Sequence, residues 1–325
     1  MQNWSRKRVG SLALVIVVSA VIFLTGIDWG LPSRTADPFL FGDQPAWSGG
    51  KIIALAPPQA VDAAADVDAN PIRRDIPIVL NETDAQRAEI VRRYRLMSYQ
   101  PDEFITLKSL SRIRETRGDP RLYQYGGLWI YPVGVLLKLA SMVGAVDLRS
   151  DQAFYLDHPE AFGRFYVVAR AYSAMWGVIG AVAVFWIVSR LTSGILLPTA
   201  AGAGFALMPV VVNMAHEAKP HLPGAVLVLL TIAAAAKYIE LGKRRCAIIA
   251  GALAGAALGM ILTGVVAFSV LAAMGVSRRE KRISNLALAI VAAIVVYAIT
   301  NPFVVFNAIA RPQLLRSNLG NTAEM

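Results

Sequence analysis

Cysteine is nearly missing from the chain: among 325 residues there is one, Cys246. A disulfide within the chain is impossible, and a zinc site built on clustered cysteines is excluded. There is no glycine-rich phosphate loop, no Gly-x-Ser-x-Gly elbow and no stretch that reads as a sugar-nucleotide domain. No internal repeat is visible. Acidic residues are few: 22 Asp and Glu stand against 32 Lys and Arg, a formal net charge of +10. In a soluble protein such a surplus points to nucleic acid. Here the basic residues gather at the ends of apolar runs, as Arg6-Lys7-Arg8, Arg190, Lys243-Arg244-Arg245 and Arg278-Arg279-Glu280-Lys281-Arg282. That is the pattern of the positive-inside rule, so nucleic acid is set aside as a partner.

What the chain has in excess is apolar sequence. It is 56% hydrophobic, with a mean hydropathy of +0.51, against about 45–50% in soluble domains. The excess sits in continuous runs such as Leu12 to Ile27 and Leu222 to Ala236. In lipid only helices and closed barrels satisfy their own backbone. Runs without alternation are helices, so the expected class is an all-α polytopic membrane protein. The N-terminus has the outline of a signal peptide, but no small-x-small site followed by a polar stretch comes after it. It reads as a retained first helix over 11–27, bracketed by the interfacial aromatics Trp4 and Trp29.

A long polar stretch follows. Its part up to about residue 80 is rich in Ala, Pro and Asp, as in Val61-Asp62-Ala63-Ala64-Ala65-Asp66, and reads as a loosely ordered loop. Thr83-x-x-Gln86 fits a capping box and predicts a helix to Tyr99. A second helix is expected from Asp102 to Arg117, with Phe104, Leu107, Leu110 and Ile113 on one stripe and Gly118 ending it. That stripe suits a helix lying on the membrane surface.

The basic clusters agree in sidedness if the apolar segment 127–146 is re-entrant or juxtamembrane, and if 246–276 is a tight hairpin breaking near Gly259 to Gly264. Seven crossings result: 11–27, 164–189, 193–214, 222–241, 246–260, 263–276 and 283–300. The domain plan is a cytoplasmic N-terminus and first helix (1–27), an outside loop with surface and juxtamembrane helices (28–163), six further crossings (164–300) and an outside tail (301–325).

Three polar groups fall on the outer side. Asp102 and Glu103 open a surface helix. Paired carboxylates beside apolar surface can serve as a base, and an N-cap with a first-turn acid is the plainer reading. His216-Glu217-Ala218-Lys219-Pro220-His221 is a polar hinge between apolar helices. Its two histidines and glutamate have the chemistry of metal ligands, but the five-residue spacing across a proline favours an exposed turn. No metal and no cofactor are expected. Lys219 suits an anionic phosphate at the interface. Arg164 and Arg170 stand at the outer end of the second crossing. Arg164 reads as a snorkelling side chain, whereas Arg170, about two turns further in, calls for a partner or a ligand.

In their order these motifs resemble the GT-C class of membrane glycosyltransferases, which includes protein O-mannosyltransferases and aminoarabinose transferases of lipid A. The resemblance covers most of the chain. It rests on the Asp102-Glu103 pair, then Tyr125-Gly126-Gly127-Leu128-Trp129-Ile130-Tyr131-Pro132, then Arg170 with Ser173, Ala174 and Gly177. A polar hinge after Pro209 with Lys219 and Pro223 comes next, and finally Asn301-Pro302-Phe303. The resemblance implies an inverting transfer of sugar from a polyprenyl-phosphate donor to a protein, lipid or glycan acceptor on the non-cytoplasmic face of a bacterial plasma membrane. Asp102, with Glu103 beside it, takes the position of the base. Arg170, Lys219 and Arg164 are donor-phosphate candidates, and Glu217, His221 and His216 are further candidates.

The departures are specific. His221 stands where the family often has an Asp two residues before a Pro. Thr263 lies near the expected place of a common Lys. The chain stops at Met325 where relatives continue, which is read as a truncation or a minimal relative. The loop over 28–100 is longer than the pattern requires. Two other classes compete: a catalytically silent polyprenyl-lipid binder, and a transporter or scaffold, although charges at helix ends and a lack of repeats argue against transport.

Overall fold

The computed structural model describes residues 6–57, 83–277 and 282–316. Among them every regular element is helical, and the one β-contact is an isolated bridge between Tyr125 and Ile261. In chain order the helices are α1 (Arg6–Leu24), α2 (Asp37–Phe41), α3 (Gly49–Leu55), α4 (Asp84–Leu96), α5 (Glu103–Ser111), α6 (Gly127–Met142), α7 (Gln152–Asp157) and α8 (Pro159–Leu191). Then come α9 (Leu196–Leu207), α10 (Pro209–Ala215), α11 (His221–Leu241), α12 (Arg244–Met260), a 3-10 turn (Leu262–Val266), α13 (Ala267–Ser277), α14 (Arg282–Thr300) and α15 (Pro302–Ala310). The Val61–Asp66 stretch, Trp4, the basic run from Arg278 to Lys281 and the tail beyond 316 lie outside the described residues.

The chain divides into two compact units. The first takes residues up to Ile27, Tyr123–Val133 and Ala169–Phe306. Four helices are long and apolar enough to cross a membrane: α1, α8, α11 and the Ile283–Thr300 part of α14. A fifth candidate is the α9–α10 pair, bent by 60°. The bend falls where Pro209 sits at the first position of α10, since proline removes an N–H donor and cannot continue the preceding helix. Only 17% of the apolar window is buried in α1 and in α14. Leu14, Val17 and Val21 on one, and Ile290, Val291 and Ile294 on the other, are exposed. Apolar surface on that scale is unfavourable in water and ordinary in lipid.

The buried side of α1 (Val15, Phe23) meets Ala174, Ala181 and Phe185 of α8, Ala206 of α9 and Leu222 and Val226 of α11. Helix α12 packs on α11 and α14, and it meets α14 through small residues. A Cβ on Gly251 would lie 1.9 Å from the carbonyl oxygen of Ala289, and one on Gly255 2.2 Å from that of Ala293. Between membrane helices, where water gives no hydrophobic drive, this close backbone approach supplies the packing. The expected break in the hairpin is present: α12 ends at Met260 and the 3-10 turn begins at Leu262.

The second unit takes Asp28–Leu122, Gly134–Val168 and the residues from Asn307 on. Residues 37–55, expected to belong to a loose loop, form α2 and α3. Phe41, Trp47 and Ile52 are buried, and the Ser48 side chain caps α3 by accepting from the Lys51 N–H. An average over the whole Ala-Pro-Asp stretch hides these apolar residues. The Thr83 cap on Gln86 forms as read. Helix α5 is shorter than expected, and after it the chain turns until Gly118, whose φ of +93 suits glycine. Phe104, Phe162, Phe165, Tyr155 and Tyr166 form an aromatic cluster with centroids 5.2–6.1 Å apart. Burial pushes the Tyr155 phenol above the usual tyrosine range, and its hydroxyl donates to the Asp147 carbonyl at 2.6 Å.

Candidate functional site

In the first unit the polar hinge between α10 and α11 is buried. Glu217 is 4% and Lys219 8% exposed. Asn213, one turn earlier on α10, donates to Glu217 Oε1 at 2.8 Å, and the Lys219 ammonium stands 3.4 Å from Glu217 Oε2. The Ser173 hydroxyl of α8 lies 2.7 Å from the Glu217 carbonyl oxygen and 3.3 Å from that of Lys219. Pro220, just before α11, and Pro223 in its first turn fit a helix start, where the missing N–H costs nothing. The hinge is therefore an ion pair in which Glu217 Oε1 is bonded by Asn213 of α10, Oε2 faces the Lys219 ammonium, and the two backbone carbonyls meet Ser173 of α8. A pair this enclosed is costly to break, because removing one partner leaves the other charge buried.

His216 ties the hinge to the end of α1. Its Nδ1 is 2.7 Å from the Val212 carbonyl oxygen and its Nε2 2.8 Å from that of Thr25. Arg170 is 3% exposed and donates to the Ile27 carbonyl at 2.9 Å. Arg170, Ser173, His216, Glu217 and Lys219 thus belong to one unit, in which Arg170 and His216 bind successive ends of the turn after α1.

His221, exposed at the start of α11, sets its ring edge-on to Tyr125 at 6.0 Å. Tyr125 leads into a junction of helix ends. The Gly126 N–H donates to Met260 O at 3.0 Å and the Leu262 N–H to Gln124 O at 3.0 Å. The Gly127 N–H donates to Asn301 Oδ1 at 2.8 Å, and Asn301 Nδ2 donates to Gly259 O at 3.3 Å. A Cβ on Gly126 would stand 1.9 Å from Gly259 O. The Tyr125-Gly126-Gly127 segment and Asn301, noted in the sequence as separate motifs, are bonded to each other.

The remaining candidates lie in the second unit. Asp102 occupies the N-cap of α5, exposed, and its side chain makes no capping hydrogen bond. Glu103 is fully buried, and the Ser98 hydroxyl bonds its Oε2. Arg164 is exposed on α8. Sequence reasoning missed Arg95 there, which is fully buried and paired with Asp37 at 2.8 Å. No local spacing signals a contact between positions 58 apart. Among the described residues no three His, Cys, Asp or Glu side chains are grouped to hold a metal ion. Set against known proteins, the chain matches no family model, and no curated protein or solved structure is significantly similar to it.

Proposed function

We propose that the chain is an integral membrane glycosyltransferase of the GT-C kind, taking sugar from a polyprenyl-phosphate donor on the non-cytoplasmic side. The observation that carries the catalytic reading is Asp102. It is exposed at the start of α5, next in sequence to the buried Glu103, where an acceptor hydroxyl can reach a carboxylate. In the proposed reaction Asp102 accepts the proton of an acceptor hydroxyl, with Glu103 beside it. The hydroxyl oxygen then bonds to the anomeric carbon with inversion while the bond from that carbon to the phosphate oxygen breaks. Polyprenyl phosphate leaves with the electron pair, and Arg164, in the same unit as Asp102, supplies positive charge for it. His216, Glu217 and His221 position the hinge that carries Lys219.

The same proposal has seven crossings. Helix α8, with 33 residues, is about 50 Å long and α11 about 31 Å, enough for a core of roughly 30 Å. Helix α12, with 17 residues, reaches about 25 Å and crosses only where the bilayer thins or its flanking lysine and arginines snorkel.

A second reading, a lipid binder without catalysis, is favoured by one observation. The Lys219 charge already faces Glu217 at 3.4 Å, which reduces what it offers a phosphate. Transfer of radiolabelled sugar from a panel of polyprenyl-phosphate sugars, in membranes containing the chain, separates the two. The transferase reading expects transfer that falls by about 100-fold or more in Asp102→Asn, with the protein still inserted. No transfer from any donor, with polyprenyl phosphate still bound, establishes the silent binder instead.

A further inference from the structure

At the opposite end of α8 from Arg170, within the first unit, two cations converge on one indole. The Arg190 guanidinium carbon stands 4.8 Å from the Trp186 ring centroid and the Lys237 ammonium of α11 5.9 Å from it. Arg190 is exposed and Lys237 half-buried. Beyond Lys237, α11 stops at Gly242, whose φ of +66 permits a tight left-handed turn. The chain then sets Lys243, Arg244 and Arg245, all exposed, at the start of α12.

Five cations therefore surround the adjoining ends of α8, α11 and α12, next to an amphipathic aromatic. Among the described residues none of the five forms an ion pair with a carboxylate. The acid on the same stretch is Glu240, exposed and also outside any ion pair among the described residues. The charges of Arg190 and Lys237 lie within about 11 Å of each other, near the Debye length of about 8 Å at physiological salt. They repel weakly and reinforce each other's pull on an anion. A tryptophan under them is what the headgroup level of a bilayer favours, with its ring in the apolar edge and its cations in the polar layer.

We infer that Trp186, Arg190 and Lys237, with Lys243 to Arg245 beside them, form a binding site for the headgroup of an anionic phospholipid. The phosphate is held between the guanidinium and the ammonium, and the acyl chains lie along the apolar faces of α8 and α11. This rests on α8 and α11 crossing the membrane and is independent of any catalysis at Asp102.

The test is native mass spectrometry of the detergent-purified full chain, titrated separately with phosphatidylglycerol, phosphatidylcholine and inorganic phosphate. Phosphatidylglycerol is expected to bind at lower concentration than phosphatidylcholine. The double variant Arg190→Gln with Lys237→Gln is expected to lose about fivefold in phosphatidylglycerol binding per cation removed, with phosphatidylcholine unchanged. Arg190→Lys keeps most of the binding, which separates charge from fold. Should the double variant fail to purify, Lys237→Gln alone carries the comparison. Equal binding of the two lipids, or an unaltered double variant, overturns the inference. Displacement of phosphatidylglycerol by millimolar inorganic phosphate overturns the lipid assignment in favour of a soluble phosphate. A chain released from membranes by alkaline wash would instead defeat the reading of α8 and α11 as crossings.

Discussion

Arg95 distributes its donors over three segments of the second unit. Its Nε and Nη2 reach the two Asp37 oxygens at 3.3 and 2.8 Å, and Nη1 reaches the carbonyls of Trp47 at 2.8 Å and Leu156 at 3.1 Å. One planar fork thereby holds α2, the turn into α3 and the end of α7 against α4. Truncation in Arg95→Ala leaves Asp37, whose side chain is 12% exposed, with the part-exposed Arg34 as its ion-pair partner, and takes this donor from the Trp47 and Leu156 carbonyls. The expected cost is about 1–3 kcal/mol, read as a lowered midpoint of thermal unfolding in detergent with earlier proteolysis of residues 28–57. Arg95→Lys is expected to recover little, because an ammonium cannot serve a carboxylate and two carbonyls in one plane. A variant as stable as the parent would show that the fork is dispensable. This contact was not legible beforehand, since nothing in the sequence near Asp37 points to a position 58 residues on. The Thr83 cap was legible because donor and acceptor are three residues apart. The candidate site divides in the same way. The polarity of the hinge at 216–221 shows in the sequence, whereas its enclosure by Ser173 of α8 depends on how distant helices meet.

At the scale of elements, the α12–α14 contact depends on what is not there. The Cβ positions of Gly251 and Gly255 are occupied by backbone of α14, which cannot swing aside as a flexible side chain can. Gly251→Ala is expected to part the helices and cost about 1–3 kcal/mol or more. Gly204→Ala, in α9 with nothing within 4 Å of the added carbon, is expected to be neutral or to stabilise by up to about 1 kcal/mol, since alanine is the better helix former. Paired thermal melts in one detergent check both, and equal melts for the two variants would refute the packing account. The helix end near Gly259 to Gly264 reads well from the sequence, because glycine acts locally, whereas the break at Pro209 falls inside what reads as one crossing over 193–214. The small-residue stripe Gly251, Gly255 and Gly259 went unread. Its partners Ala289, Ala293 and Thr300 lie about forty residues on, and an alanine-rich run gives no clue to which face is approached. The short helices α2 and α3 went unread because composition averaged over residues 28–80 outweighed three buried apolar side chains.

For the whole molecule the decisive quantity is how many helices cross. The class, all-α with membrane-type helices, followed from continuous apolar runs. The crossing count did not, because length and sidedness conflict in the middle of the chain. The α9–α10 pair sums to 19 residues, about 28 Å of helix if straight. Bent by 60°, it reaches only about 23 Å along the direction of α9, short of a core of roughly 30 Å. It either crosses with its polar hinge in the interface or turns back. Charge argues for crossing: Arg190 precedes the pair, and the buried Glu217–Lys219 hinge follows it. Single cysteines at Gly194, His221, Lys243 and Val265, introduced into a Cys246→Ala background, test this with an impermeant maleimide applied from either side of sealed vesicles. Seven crossings expect Gly194→Cys and Lys243→Cys to label from one side, and His221→Cys and Val265→Cys from the other. Labelling of Gly194→Cys and His221→Cys from the same side would make α9–α10 re-entrant. Labelling of Lys243→Cys and Val265→Cys from the same side would remove α12 from the crossings, and with it the snorkelling that its short length demands.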